Sequence, residues 1–120
     1  MSTQKELGNE AFKAKDYDKA IQFYTEALEH NPTDHTVYGN RAMAYANKSL
    51  FGKSLEDAEQ CIKIKPDWGK GYHRKAAALH GIGDLQQAAT VYEEGLKVDP
   101  ANAAMKKGYD QLKTDVASQA

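Results

Sequence analysis

All three prolines of the chain, Pro32, Pro66 and Pro100, stand 34 residues apart. Other columns keep the same period. Ala20, Ser54 and Ala88 are uniformly small, as are Ala27, Cys61 and Gly95, and Gly8, Ala42 and Ala76; Tyr24, Ala58 and Tyr92 also register. Self-similarity at such a period means one supersecondary unit per copy, each stacking on its neighbours because it cannot bury its apolar face alone. Within a copy the apolar spacing is helical. Leu7, Ala11 and Ala14 form one stripe, and Ala20, Ile21, Tyr24, Ala27 and Leu28 form a second. Lys15-Asp16 lies between the stripes, and in the third copy Gly83-Asp84, where Gly suits the position just past a helix end. Asp34 and Asp67 stand where helix N-caps are expected. The small columns have a packing reason, since two helices of a hairpin close tightly only where the crossing side chains are small. Each copy therefore reads as a helical hairpin.

After Pro100, Met105, Tyr109, Leu112 and Val116 recur at helical spacing, while Lys106, Lys107, Asp110, Lys113 and Asp115 fall opposite. A half-polar helix of this kind closes the open apolar end of a stack. The 34-residue pattern resembles the tetratricopeptide (TPR) repeat, closely at Leu7-Gly8, Ala20, Tyr24, Ala27 and Pro32. It departs where that repeat usually carries Trp and this chain holds Gln4, Tyr38 and Tyr72. The resemblance implies an all-α fold, a right-handed TPR superhelix of three helix-turn-helix repeats at about residues 1–34, 35–68 and 69–102. A C-terminal capping helix at about 102–117 would complete seven helices in a single domain over residues 1–120.

Composition removes several function classes. A net charge of -1 and a pI near 6.4 give no electrostatic reason to seek nucleic acid or an anionic membrane, so any anion affinity must be local. No run approaches the roughly 18 apolar residues of a membrane span, and the opening Met-Ser-Thr-Gln-Lys-Glu lacks the apolar core of a signal peptide. The single cysteine, Cys61, excludes an internal disulfide framework and fits a reducing compartment, which predicts a cytoplasmic protein. Its place in a small-residue column makes it a buried, inert thiol. No P-loop, nucleotide-binding glycine cluster or nucleophile with a base is present, so no enzyme activity, cofactor or small-molecule substrate is expected. His30, His35, His73 and His80 lack a carboxylate or cysteine to complete a ligand set, so no metal is expected either.

Removing the packing columns leaves one face of each first helix. In the first repeat it carries Lys5, Asn9, Phe12 and Lys13; in the second Gly39, Asn40, Met43, Ala46 and Asn47; in the third Lys70, His73, Arg74, Ala77, His80 and Gly81. Comparable repeat positions line one continuous surface in a solenoid. Lys70 and Arg74 stack at i, i+4, about 6 Å apart along the axis, a mildly unfavourable pair unless something anionic lies across it. In register they join Lys5, Asn9 and Asn40, giving three cations and two carboxamides with no acid among those positions. The plain alternatives are a solvated basic face, and for Trp68 a packing role.

Lys5-Glu6-Leu7-Gly8-Asn9, Tyr38-Gly39-Asn40-Arg41 and Asp67-Trp68-Gly69-Lys70-Gly71-Tyr72-His73-Arg74-Lys75-Ala76 resemble the carboxylate-clamp motifs of co-chaperone TPR domains. The Trp68 segment looks most like the N-terminal TPR domain of the Sti/Hop proteins, which organise heat shock proteins 70 and 90. By that resemblance, Lys5, Asn9, Asn40, Lys70 and Arg74 would grip the two carboxylates of a C-terminal Asp, as in the Glu-Glu-Val-Asp tail of heat shock protein 70. Phe12, Met43, Ala46, Asn47, His73 and Ala77 would read the residues upstream, with Phe12, Met43 and Ala46 forming a small apolar pocket. The heat shock protein 90 tail is the second candidate partner, since both tails end alike. Two further readings stay open: a TPR targeting module of a phosphatase or prolyl isomerase, and a structural assembly TPR that binds an internal helix. His80 and Gly81 depart from the family, where an acid and an aromatic are more usual, which bears on the upstream contacts.

Overall fold

The computed structural model describes residues 3–119. Among them are seven helices and no strand: α1 (Gln4–Lys13), α2 (Tyr17–His30), α3 (His35–Asn47), α4 (Phe51–Ile64), α5 (Gly69–Ile82), α6 (Leu85–Val98) and α7 (Ala103–Ser118). The period survives to the residue. Helices α3, α5 and α7 begin at 35, 69 and 103, and α2, α4 and α6 at 17, 51 and 85. Each helix packs on the next, and α1, α3, α5 and α7 also touch in succession, so the first helices of the repeats form one wall of a body 51 × 26 × 21 Å.

The caps obey the period more faithfully than residue type. Asp34, Trp68 and Asn102 are the N-caps of α3, α5 and α7. Asp34 Oδ1 accepts from the Thr36 N–H at 3.1 Å and Asn102 Oδ1 from the Met105 N–H at 2.9 Å, whereas Trp68 caps with no side-chain bond. Asp67 is thus not the cap its chemistry suggested. It sits inside a turn closed by the Trp68 N–H on the Lys65 carbonyl, its carboxylate 3.4 Å from Lys65 Nζ. Asp16 and Asp84 cap α2 and α6, and Thr3 with Glu6 closes a capping box on α1. The residue before each second-helix cap is left-handed, at φ 62° for Lys15, 59° for Ser49 and 96° for Gly83. Only the third copy uses the residue that tolerates this conformation freely.

Two apolar cores form. The first gathers Ala20, Tyr24, Leu28, Val37 and Ala44; the second gathers Ala76, Leu79, Ala88, Val91 and Tyr92 with Met105 and Leu112 of α7. The capping helix is therefore part of a core rather than a lid on one. Between the cores the seam is small and polar. Ser54, the hydroxyl member of its small column, donates to the Ala42 carbonyl at 2.8 Å. Arg41 Nε and one Nη each donate to a different oxygen of buried Asp57 at 2.7 Å, and its other Nη reaches Thr25 Oγ1 at 3.1 Å.

His80 and Gly81 find structural employment in this frame. His80 Nε2 lies 2.6 Å from Asp115 Oδ2, tying α5 to α7. The space above Gly81 belongs to Phe51, whose ring would stand 2.5 Å from a Cβ there.

Candidate carboxylate-binding groove

At the first half of the wall, three helices meet at one oxygen. Asn9 Oδ1 accepts from the Tyr24 hydroxyl at 2.6 Å and from Asn40 Nδ2 at 3.2 Å. Both lone pairs of the Asn9 carbonyl are thereby filled, and its NH₂ donates to no protein group among the described residues. Asn9, Tyr24 and Asn40 line a cleft of about 240 Å³ with Phe12, Lys13 and Met43. Phe12 is held edge-on against Tyr17, ring centroids 5.5 Å apart. Lys5, one turn before Asn9, donates through Nζ to Asp34 Oδ2 at 3.2 Å. One acid thus does reach the basic surface. Desolvation acts against the Asp34 charge, yet bonds from Thr36 and Lys5 win and lower its pKa.

The second half is built on the first turns of α5. Lys70 is exposed, its Nζ 5.8 Å from the centre of the Trp68 ring. Trp68 is a packing residue, edge-on to His35 at 4.9 Å and filling the space beside Gly39. Arg74 lies deeper. One Nη donates to His73 Nδ1 at 3.1 Å, which requires an unprotonated Nδ1, while Nε is buried without any partner. Burial lowers the Arg74 pKa, and burial aided by the Arg74 charge pushes His73 down to about 4. Cys61 is fully buried, its thiol pushed up to about 11 chiefly by burial, and is inert at neutral pH.

The residues expected to line the upstream groove divide. Phe12 and Met43 share the cleft with Asn9 and Asn40. Ala46 is not among its walls. Asn47 is exposed and its NH₂ is tied to the Met43 carbonyl at 2.9 Å. His73 supports Arg74, and Ala77 is half-buried on the same helix. Tyr24 and Asp34 also touch the clamp positions, contacts that the repeat register does not indicate. A buried phenol needs a partner for its hydroxyl, which is the one signal the sequence offered for Tyr24.

Chemically the wall is a row of donors: an ammonium, two carboxamides, a second ammonium and a guanidinium. Such a row suits carboxylates. The profile described as serine/threonine-protein kinase BSK1-like TPR repeats matches residues 1–76, and that of the tetratricopeptide repeat matches residues 69–102. The chain belongs to the tetratricopeptide-repeat family, and within it is homologous to the TPR domains of Sti1 and the Hsp70–Hsp90 organising proteins. It is 47% identical over 118 residues to heat shock protein STI1 of Saccharomyces cerevisiae, a match covering 97% of this chain and 20% of the yeast protein. The first TPR domain of Spaghetti, solved bound to the HSP90 peptide SRMEEVD, superposes with a TM-score of 0.88 at 29% identity over 95% of this chain and 90% of that one. The second TPR domain of human RPAP3, in complex with the HSP70 peptide SGPTIEEVD, gives 0.87 at 27% identity, covering 92% of each chain. The chain spans between 18% and 44% of the length of the curated relatives most similar to it, and about a fifth of the two yeast proteins among them. None of its described helices is long and apolar enough to cross a membrane.

Proposed function

We propose that this chain is a non-catalytic, cytoplasmic co-chaperone adaptor domain that grips the Glu-Glu-Val-Asp terminus of heat shock protein 70 through Lys5, Asn9, Asn40, Lys70 and Arg74. The observation that carries this reading is the run of cationic and carboxamide donors along one wall, in which the Asn9 NH₂ and the exposed Lys70 ammonium donate to no protein group among the described residues. A chain ending in Asp offers two carboxylates within a few ångströms. Arg supplies a planar fork, Lys a mobile ammonium, and each carboxamide a neutral donor. Charge-assisted contacts contribute about 1.5–3 kcal/mol each, and association with peptide ordering costs several kcal/mol back. A net of roughly −7 to −8 kcal/mol, a low-micromolar Kd, is expected.

The peptides held by the two related domains share Glu-Glu-Val-Asp and differ just before it, Ile in one and Met in the other. Heat shock protein 90 is accordingly the second candidate, and Phe12 with Met43 is the apolar surface where the choice would be made.

The decisive measurement is a titration with an octapeptide ending Glu-Glu-Val-Asp, as free acid and as C-terminal amide. Tight binding of the acid alone is expected; equal affinity sinks the clamp. Lys70→Ala should weaken acid binding by about 1.5–3 kcal/mol with the melting temperature nearly unchanged, and Arg74→Ala should weaken it as much while also lowering the melting temperature, because its side chain is packed and bonded to His73. Lys5→Ala should cost less, because Lys5 must first leave Asp34.

A further inference from the structure

Tyr24 occupies a packing column, and its ring is indeed buried, 1% exposed in the first core. Packing does not use its hydroxyl. The ring seats so closely over Gly8 that a Cβ there would stand 2.6 Å from Cε1, which fixes where the phenol oxygen points. It points at Asn9 Oδ1, at 2.6 Å, at the short end of the O–H···O range. A carboxamide can be turned by half a rotation, presenting either its oxygen or its NH₂. For an anion these two faces are opposites: one donates and the other repels.

A donor from another helix breaks the tie. The buried Tyr24 proton needs an acceptor and finds the Asn9 oxygen, which Asn40 Nδ2 also reaches. Desolvation pushes the phenol up to about 12, so it keeps its proton at every physiological pH. The Asn9 NH₂ is what remains to face a ligand. We infer that Tyr24 is a positioning residue of the clamp, its buried hydroxyl locking the Asn9 carboxamide with the NH₂ presented to an anionic peptide terminus. This rests on the clamp reading above and adds to it the group that orients one of the five donors.

The test combines Tyr24→Phe, Asn9→Ala and the double variant, each titrated with the free-acid and amidated octapeptides. Tyr24→Phe removes one buried atom and keeps the ring, and a melting curve for each variant reports on the fold. Tyr24→Phe should lose about three- to tenfold in affinity for the free acid, with amide binding unmoved. It should lose nothing further in the Asn9→Ala background, because Tyr24 acts through Asn9. Two results overturn the inference: free-acid binding intact in Tyr24→Phe while Asn9→Ala loses it, or an equal loss in both backgrounds, which would mark general loosening. Should wild-type protein bind acid and amide alike, the clamp reading falls, and Tyr24 with Asn9 is interior packing.

Discussion

His73 and Arg74 are consecutive residues with one hydrogen bond between them, and that bond has a thermodynamic signature. In the unfolded chain His73 takes up a proton near pH 6.5, whereas in the folded chain burial and the adjacent guanidinium delay uptake to about 4. Between those values the unfolded state binds more protons. The stability that neutral His73 contributes is therefore complete above about pH 6.5 and is lost as pH falls toward 4. Asn at this position offers an amide oxygen where Nδ1 stood and has no proton to gain. Urea melts of His73→Asn and wild type, run between pH 7 and 4, should show the wild type losing stability faster across that window. Parallel slopes would mean His73 is solvated and Arg74 is held by something else. At this scale the sequence was least informative. Arg74 stands out through its i, i+4 pairing with Lys70, its register and its motif, but Asn9 meets Tyr24 fifteen positions away and Lys5 meets Asp34 twenty-nine away, contacts that exist only once three helices have packed.

The helices were legible because a hairpin crossing is a local affair: which columns must be small follows from which helices are adjacent in the chain. Where residue chemistry and register disagreed, register won. Asp67 is a better capping residue than Trp68, yet the caps fall at 34, 68 and 102, because the Lys65–Trp68 turn repeats the one ending at Asp34. Register also sorts the glycines. Gly95, in a crossing column, faces Met105 Sδ at 2.5 Å and Tyr72 Cβ at 2.7 Å from the position a Cβ would take. Gly52, in the first turn of α4, faces nothing within 4 Å. Alanine improves helix propensity at both by up to about 1 kcal/mol. At Gly95 overpacking of about 1–3 kcal/mol outweighs that, since a Tyr Cβ cannot swing away as a Met terminus can. Thermal melts should rank Gly52→Ala above wild type and Gly95→Ala below it; the reverse order would mean the crossing is looser than described.

At the scale of the molecule, a buried ion pair ties α4 to α3 and to α2 between the two cores. Arg41 is held by Asp57 on α4 and Thr25 on α2, with the Tyr38 and Tyr45 rings 5.8 and 5.7 Å from its guanidinium carbon. Burial opposes its charge, but the bidentate carboxylate prevails and raises its pKa. Asp57→Ala leaves a guanidinium mostly buried and unpaired and should cost about 3–5 kcal/mol by urea denaturation. Leu at both positions should recover most of that loss; a double variant as unstable as the single would show the pair holding the seam by more than mutual neutralisation. Neither partner lies on a repeated column of like residues, so a repeat pattern could not have flagged the pair.

That seam has a mechanical consequence. Lys5, Asn9 and Asn40 ride on the first core, whereas Lys70 and Arg74 ride on the second. A peptide end grasped by all five would span the joint like a brace bolted to both arms. Amide protons along α3 and α4 would then slow their exchange on binding although no ligand touches α4, and a peptide too short to reach both arms would leave those exchange rates where they were.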